Sequence, residues 1–203
     1  MWGGKTEYLF MTIPQNAPLF KPSVDTRDKD AVISTHNGDT RPAIPIRGGV
    51  DLLQRVHEIS RIHTLDIIGI DEVHMLSDDI TPACLALVAR GLHICAVGLS
   101  TDYLGRVFQP MMELMALADV VNVKKSICAV CGQTAIHNHC KFPSDARILP
   151  GAEELYEPRC RRCFDPYIHR CPETLHNSRC EFRFGHTGSH KAGGVRWEPV
   201  LVV

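Results

Sequence analysis

The stretch Asp66-Ile67-Ile68-Gly69-Ile70 runs directly into two carboxylates, Asp71-Glu72, and no other feature narrows the possible folds so sharply. An apolar run with no polar alternate suits a strand buried on both faces, as in the middle of a parallel sheet. Leu92 to Leu99 (LHICAVGL) reads the same way. Between the two runs, Pro82 to Arg90 (PACLALVAR) has helical character and stops at Gly91, a capping residue. Ahead of the first run, Gly48-Gly49 is followed by Val50, Leu53, Val56, His57 and Ile59 to Ile62 at helical spacing, and Met111 to Ala118 reads as a further short helix before a β-rich Val120 to Val123. Strands alternating with helices make an α/β unit, expected over residues 1–125.

Seven of the nine cysteines lie beyond residue 127, where helical period gives way to Cys, His, Pro and Gly. Cys128-Ala129-Val130-Cys131 and Cys160-Arg161-Arg162-Cys163 are two CxxC knuckles with 28 residues between them. Two knuckles supply four thiolates, a closed tetrahedral shell for structural zinc. A redox role suits them less, because neither pair opens a thioredoxin-like βαβ unit. Residues 126–164 are therefore expected to form a zinc-binding domain whose spacer is a loop pinned at both ends. Residues 165–203 form a Cys/His-containing extension, in which Cys171, Cys180, His186 and His190 could close a second zinc site. Cys84 and Cys95 sit in apolar segments and read as small buried hydrophobes.

A formal net charge of -1 argues against a general basic field for nucleic acid or anionic lipid. The N-terminus shows no signal peptide and no apolar run reaches the roughly 20 residues that span a bilayer, so the expected location is the cytoplasm.

At the N-terminus, Gly3-Gly4-Lys5-Thr6 matches the second half of GxxxxGK[ST], followed by EYLF. Aligning Gly4 with the second glycine of that pattern puts the first before Met1, so the sheet is expected to lack its first strand. A glycine loop opening onto a helix offers free backbone amides to phosphate oxygens. Lys5 would reach the transferred phosphoryl group and Thr6 would bind magnesium. Asp71 would hold the same magnesium from the end of its strand, and Glu72 could accept the proton of an attacking hydroxyl.

With these pieces assembled, the chain resembles the zinc-containing thymidine kinases of bacteria, DNA viruses and animal cytosol. The likeness runs from Met1 to about Cys163 through MWGGKTE, FKPSVDTR, STHNG, IIGIDEVHML, AVGLSTDYLGRVFQPMMELMALAD, ICAVCG and GAEELYEPRCRRC. It implies a RecA-like P-loop fold with a zinc-held lasso, and ATP- and magnesium-dependent phosphorylation of the 5'-hydroxyl of thymidine or deoxyuridine. It also implies a homotetramer. By position, Asp25 and Arg27 match a charged loop near the phosphates, with Arg27 stabilising transferred charge. Met1, Leu99, Tyr103 and Phe108 fall where the family packs thymine, and Tyr156 falls where an aromatic ring closes over the nucleoside. The lasso residues Arg147, Ile148, Leu149 and Gly151 would meet the base edge through backbone groups.

Some positions depart from the family pattern. Only 14 residues, including Pro14 and Pro18, separate Thr6 from Lys21, so the first helix is expected to be short or broken. Pro150 replaces a lasso glycine, Asn138 a threonine that faces the thymine methyl, and His74 a glutamine. Two rival readings are a catalytically impaired zinc-binding relative with a truncated P-loop and a zinc-ribbon nucleic-acid binder. The second leaves Asp71-Glu72 unexplained.

Overall fold

A computed structural model describes residues 3–25, 31–35, 37–141, 155–165, 174–175, 178–179, 190–192 and 195–197. The chain divides into two units, one of Met1–Asp102 with Arg106–Ser126, the other of Tyr103–Gly105 with Ile127–Val203.

The first unit contains helix α1 (Lys5–Thr12), strands β1 (Leu19–Pro22), β2 (Val32–Ser34), β3 (Thr40–Pro42) and β4 (Ile44–Ile46), helix α2 (Gly49–Ser60), strand β5 (Ile67–Ile70), helix α3 (Ile80–Val88), strand β6 (His93–Ala96) and helix α4 (Gln109–Leu117). Four of these strands form a parallel sheet in the order β4-β1-β5-β6, with Leu19 opposite Gly69 and Ile68 opposite Ile94. Strands β2 and β3 pair separately as an antiparallel ribbon.

The period-2 alternation of a strand explains the apolar runs. Phe20, Ile68, Ile70, Ile94 and Ala96 pack with Leu52, Val56, Ile80 and Leu87 of α2 and α3. Their neighbours Leu19, Ile67, Cys95 and Val97 pack instead with Leu9 and Ile13 near α1 and with Ile33 and Ala43. Both faces of the central strands are covered, so the sequence shows no polar alternate there. Gly69 permits the close approach on the α1 side: a Cβ at that position would lie 2.6 Å from Ile13 Cδ1 and 2.6 Å from Leu19 Cδ2.

Helix α1 stops at Thr12, ahead of Pro14. The carbonyls that follow are gathered by one buried side chain: the Arg41 guanidinium donates to Pro14 O at 2.6 Å, Gln15 O at 3.0 Å and Ala17 O at 3.3 Å, and lies 5.3 Å over the Phe10 ring. Burial lowers the Arg41 pKa from its usual range.

Helix α2 has no capping side chain of its own. Asp79 supplies one from another segment, accepting the N–H groups of Gly49 at 2.9 Å and Val50 at 3.0 Å. The Ser77 hydroxyl, followed by these amides, holds the Asp79 carboxyl below its ordinary pKa. Gly49 fits because a Cβ there would lie 2.1 Å from Asp79 O. Asp79→Ala is expected to lower stability by about 1 kcal/mol, the usual worth of a lost N-cap, as read from urea midpoints at neutral pH; an unchanged midpoint would remove the capping role. Because the Asp79 pKa is depressed in the folded chain, this contribution is present above the carboxylate range and fades as pH falls through it.

In the second unit β7 (Ser126–Ile127) pairs with β8 (Thr134–Ala135), and β9 (His137–Cys140) runs antiparallel to β10 (Tyr156–Arg159), with Tyr156 opposite Cys140. Two short hairpins follow, β11 (Thr174–Leu175) with β12 (Ser178–Arg179), and β13 (His190–Ala192) with β14 (Val195–Trp197). Cys128, Ala135 and Cys160 make a small buried cluster with Cys163 against it.

One expected element is absent. Val120 to Val123 forms no strand, and Val120, Val121 and Val123 are exposed. β-branched residues favour a strand only where a neighbouring strand pairs with them. Among the described residues no helix is long and apolar enough to cross a membrane.

Candidate active site and metal centre

Gly4 adopts a left-handed conformation, φ 58 and ψ 40, immediately before α1. A residue without a Cβ takes this conformation at little cost, and it turns the chain so that Lys5 and Thr6 begin the helix. The first amides of a helix have no partner within it, which suits them to phosphate oxygens. Gly3 is held close to Lys124, whose Cβ would be 3.0 Å from a Cβ at position 3.

At the C-terminal end of β5, Asp71 and Glu72 are both buried. The Thr6 hydroxyl donates to Asp71 Oδ2 at 3.3 Å across 65 positions of sequence. The two residues expected to share magnesium are therefore adjacent. Asp71 Oδ1 accepts the Glu72 N–H at 2.9 Å, fixing the turn in which Glu72 has φ 46, the one positive-φ residue other than glycine among those described. Left-handed backbone at a glutamate is unfavourable by about 1 kcal/mol or more and is characteristic of functional turns. Val73 N–H then bonds Val97 O at 3.0 Å, tying this turn to the end of β6.

The aromatic candidates fall in both units. In the first, Phe108 is buried just before α4, its ring centroid 4.7 Å from that of His74, and Leu99 is half-buried with its N–H directed to His74 Nδ1 at 3.2 Å. In the second, Tyr103 and Tyr156 are both buried, with ring centroids 6.3 Å apart. Asp102, absent from the sequence motifs above, pins the turn that follows it: its side chain accepts Arg106 N–H at 2.9 Å and Arg106 Nε–H at 2.8 Å. The spacing of an Asp and an Arg four residues apart around a glycine was the only clue in the sequence. Asp25 follows β1 in a turn, its N–H bonded to Pro22 O at 3.0 Å, and Asn138 lies in β9 opposite Pro158. Met1, Arg27, Arg147, Ile148, Leu149, Pro150 and Gly151 lie outside the described residues.

The thiols of Cys128, Cys131, Cys160 and Cys163 all lie within 4.8 Å of one another, and Cys131 Sγ is 3.6 Å from Cys160 Sγ. A tetrahedron with arms of ~2.3 Å has edges of about 3.8 Å, so the four sulfurs fit a zinc ion. Desolvation raises the Cys128 thiol, but amide and thiol hydrogen bonds from Cys160, Cys131 and Val130 outweigh it and bring it down to about 6. Hydrogen bonds, chiefly from the Cys163 amide, lower Cys160 as well. Cys163 is pushed up to about 12 by the neighbouring thiols of Cys131 and Cys160. A divalent cation would offset the charge that brings the remaining thiols to thiolate, as zinc ligation requires. Arg159 braces the second knuckle, donating to Cys163 O at 3.2 Å while pairing with Glu157. By contrast, burial raises the thiols of Cys84 and Cys95, Cys84 to about 12, as befits apolar packing residues. Of the second candidate metal set, Cys171, Cys180 and His186 lie outside the described residues, and His190 opens β13.

The sequence matches the family described as thymidine kinase over residues 1–164. The thymidine kinase of Rhodothermus sp. (strain ITI 518) is 32% identical over 172 residues, 82% of this chain and 78% of that protein. The thymidine kinase of Bacteroides thetaiotaomicron is 32% identical over 170 residues, 81% of this chain and 82% of that protein, and that of Bacteroides fragilis matches to the same extent. A match spanning both units, joined to a four-cysteine cluster of zinc-binding dimensions, establishes that the chain belongs to the thymidine kinase family, in its zinc-containing branch.

Proposed function

We propose that this protein phosphorylates the 5'-hydroxyl of thymidine, or of deoxyuridine, using ATP and magnesium, and so forms dTMP and ADP in nucleotide salvage for DNA synthesis. The observation that carries the proposal is the Thr6–Asp71 contact beside Glu72. A hydroxyl at a helix start and a carboxylate at a strand end are the pair that a P-loop enzyme uses to hold magnesium.

In this reading Gly3, Gly4 and Lys5 cradle the phosphates, and Thr6 with Asp71 holds Mg2+. When bound, the cation neutralises charge on the phosphate oxygens. Glu72 takes the proton from the nucleoside hydroxyl as that oxygen attacks the γ-phosphorus and the bond to the β-phosphate oxygen breaks to release ADP, and Arg27, two residues after Asp25, offsets charge on the transferred group. Met1, Leu99, Tyr103, Phe108 and Tyr156 enclose the flat pyrimidine, and the backbone of residues 147–151 reads its edge. Zinc on Cys128, Cys131, Cys160 and Cys163 anchors the lasso. The first 125 residues make the kinase domain, residues 126–164 the zinc domain and the remainder an extension, in a cytoplasmic homotetramer.

Purified zinc-loaded protein with Mg-ATP is expected to release ADP in proportion to added thymidine, with one dTMP per ADP. Comparing thymidine with deoxyuridine then sets the preference. Thymidine that binds without any ADP release would favour a catalytically impaired relative.

A further inference from the structure

His74 stands in the middle of the site, and the roles above leave it unused. Its imidazole is almost wholly enclosed, 4% exposed, with Nδ1 3.3 Å from Glu72 Oε2. The same Nδ1 accepts the Leu99 N–H at 3.2 Å. One face of the ring meets Phe108 at 4.7 Å between centroids, tilted by 58°. The approach depends on Gly98, where a Cβ would sit 3.2 Å from His74 Nδ1, 3.3 Å from its backbone N and 3.1 Å from Val73 Cγ1.

The geometry points to His74 as a positioning residue that couples the base carboxylate to the pyrimidine end of the site. This inference rests on the proposed roles of Glu72, Leu99 and Phe108. Because an N–H is directed at Nδ1, that atom carries a lone pair and the ring hydrogen resides on Nε2. Nδ1 thereby fixes the Leu99 backbone and the ring supports Phe108; toward Glu72 it is an acceptor facing an acceptor, so no hydrogen bond joins the two while that carboxyl is ionised, and Nδ1 can accept from it only once Glu72 carries a proton. The polar atom would govern turnover and the ring face would govern nucleoside binding. The two roles are separable by substitution.

His74→Asn retains an acceptor near the Nδ1 position but no ring. It is expected to raise the thymidine KM and dissociation constant by about threefold to tenfold, the worth of a lost aromatic contact, with kcat changed much less. His74→Phe retains a ring but no acceptor. It is expected to lower kcat by about tenfold to a hundredfold through misplacement of the site, with thymidine affinity changed much less and Leu99 amide exchange accelerated. The ATP KM should be unchanged in both. Equal changes in both variants, or Asn losing as much turnover as Phe, overturn the proposal. If the Phe variant does not fold, the Asn variant decides alone, since normal thymidine affinity there also overturns it. Exchange at the Leu99 amide and thymidine affinity need no turnover, so they remain readable if Glu72→Gln proves fully active and the base assignment itself fails.

Discussion

Turnover of Glu72→Gln protein is expected to fall by about 10²–10⁴-fold, the range that a positioned general base contributes, while thymidine and ATP still bind. Glutamine keeps the size of the side chain and its capacity for hydrogen bonding but cannot take a proton from the nucleoside hydroxyl. The backbone gives no reason for collateral damage. Both residues occupy the left-handed turn at similar cost, and the amide bond to Asp71 Oδ1 involves the main chain at position 72. Steady-state kcat, together with calorimetric binding of thymidine, checks the prediction. A kcat close to that of the parent would remove Glu72 as the base even if every other assignment held.

The other large effect is expected at the metal centre. Cys160→Ser should abolish zinc binding at this cluster, because this thiol is buried, 3.6 Å from Cys131, and a serine hydroxyl is a poor substitute for thiolate. Structural zinc supplies about 10 kcal/mol or more of folding free energy in small domains, and Cys128, Ala135 and Cys160 offer little apolar core to replace it. Tyr156 begins the strand that ends one residue before Cys160, so thymidine affinity should collapse with the metal. Metal analysis and thymidine binding, with and without a strong chelator, test both parts. Full affinity in zinc-free protein would rule out the anchoring role. Parent protein should hold one zinc from this cluster, and a second equivalent that persists in Cys160→Ser and is lost when Cys171 and Cys180 are also replaced by Ser would support a site that includes these two cysteines.

Half of the parallel sheet was readable from local pattern, while β1 and β4, short and interrupted by proline, were not. Asp66 to Ile70 and Leu92 to Leu99 contain β5 and β6, and the helical spacings near Val50, Pro82 and Met111 fall within or across α2, α3 and α4. Those segments carry their own period and the core confirms it. The knuckles were equally legible because a metal shell has fixed arithmetic. What escaped was long-range or dependent on backbone conformation. Nothing near Arg41 in the sequence says that it closes off the carbonyls after α1, and the cap of α2 comes from Asp79, 30 positions from Gly49. Val120 to Val123 had β composition but no strand to join. The Thr6–Asp71 pairing was inferred from motif chemistry, yet of His74 the sequence showed only that it replaces a glutamine, because Leu99 and Phe108 reach it from distant segments.

The left-handed glutamate also bears on how related sequences diverge. Glycine or asparagine at position 72 would relax a turn that glutamate occupies against its own preference. If Glu72 is the base proposed above, a copy of this gene released from the need to move a proton would drift downhill at this codon, gaining stability as it lost chemistry. The residue found there in a relative would then serve as a record of whether selection still acts on catalysis, legible without an assay.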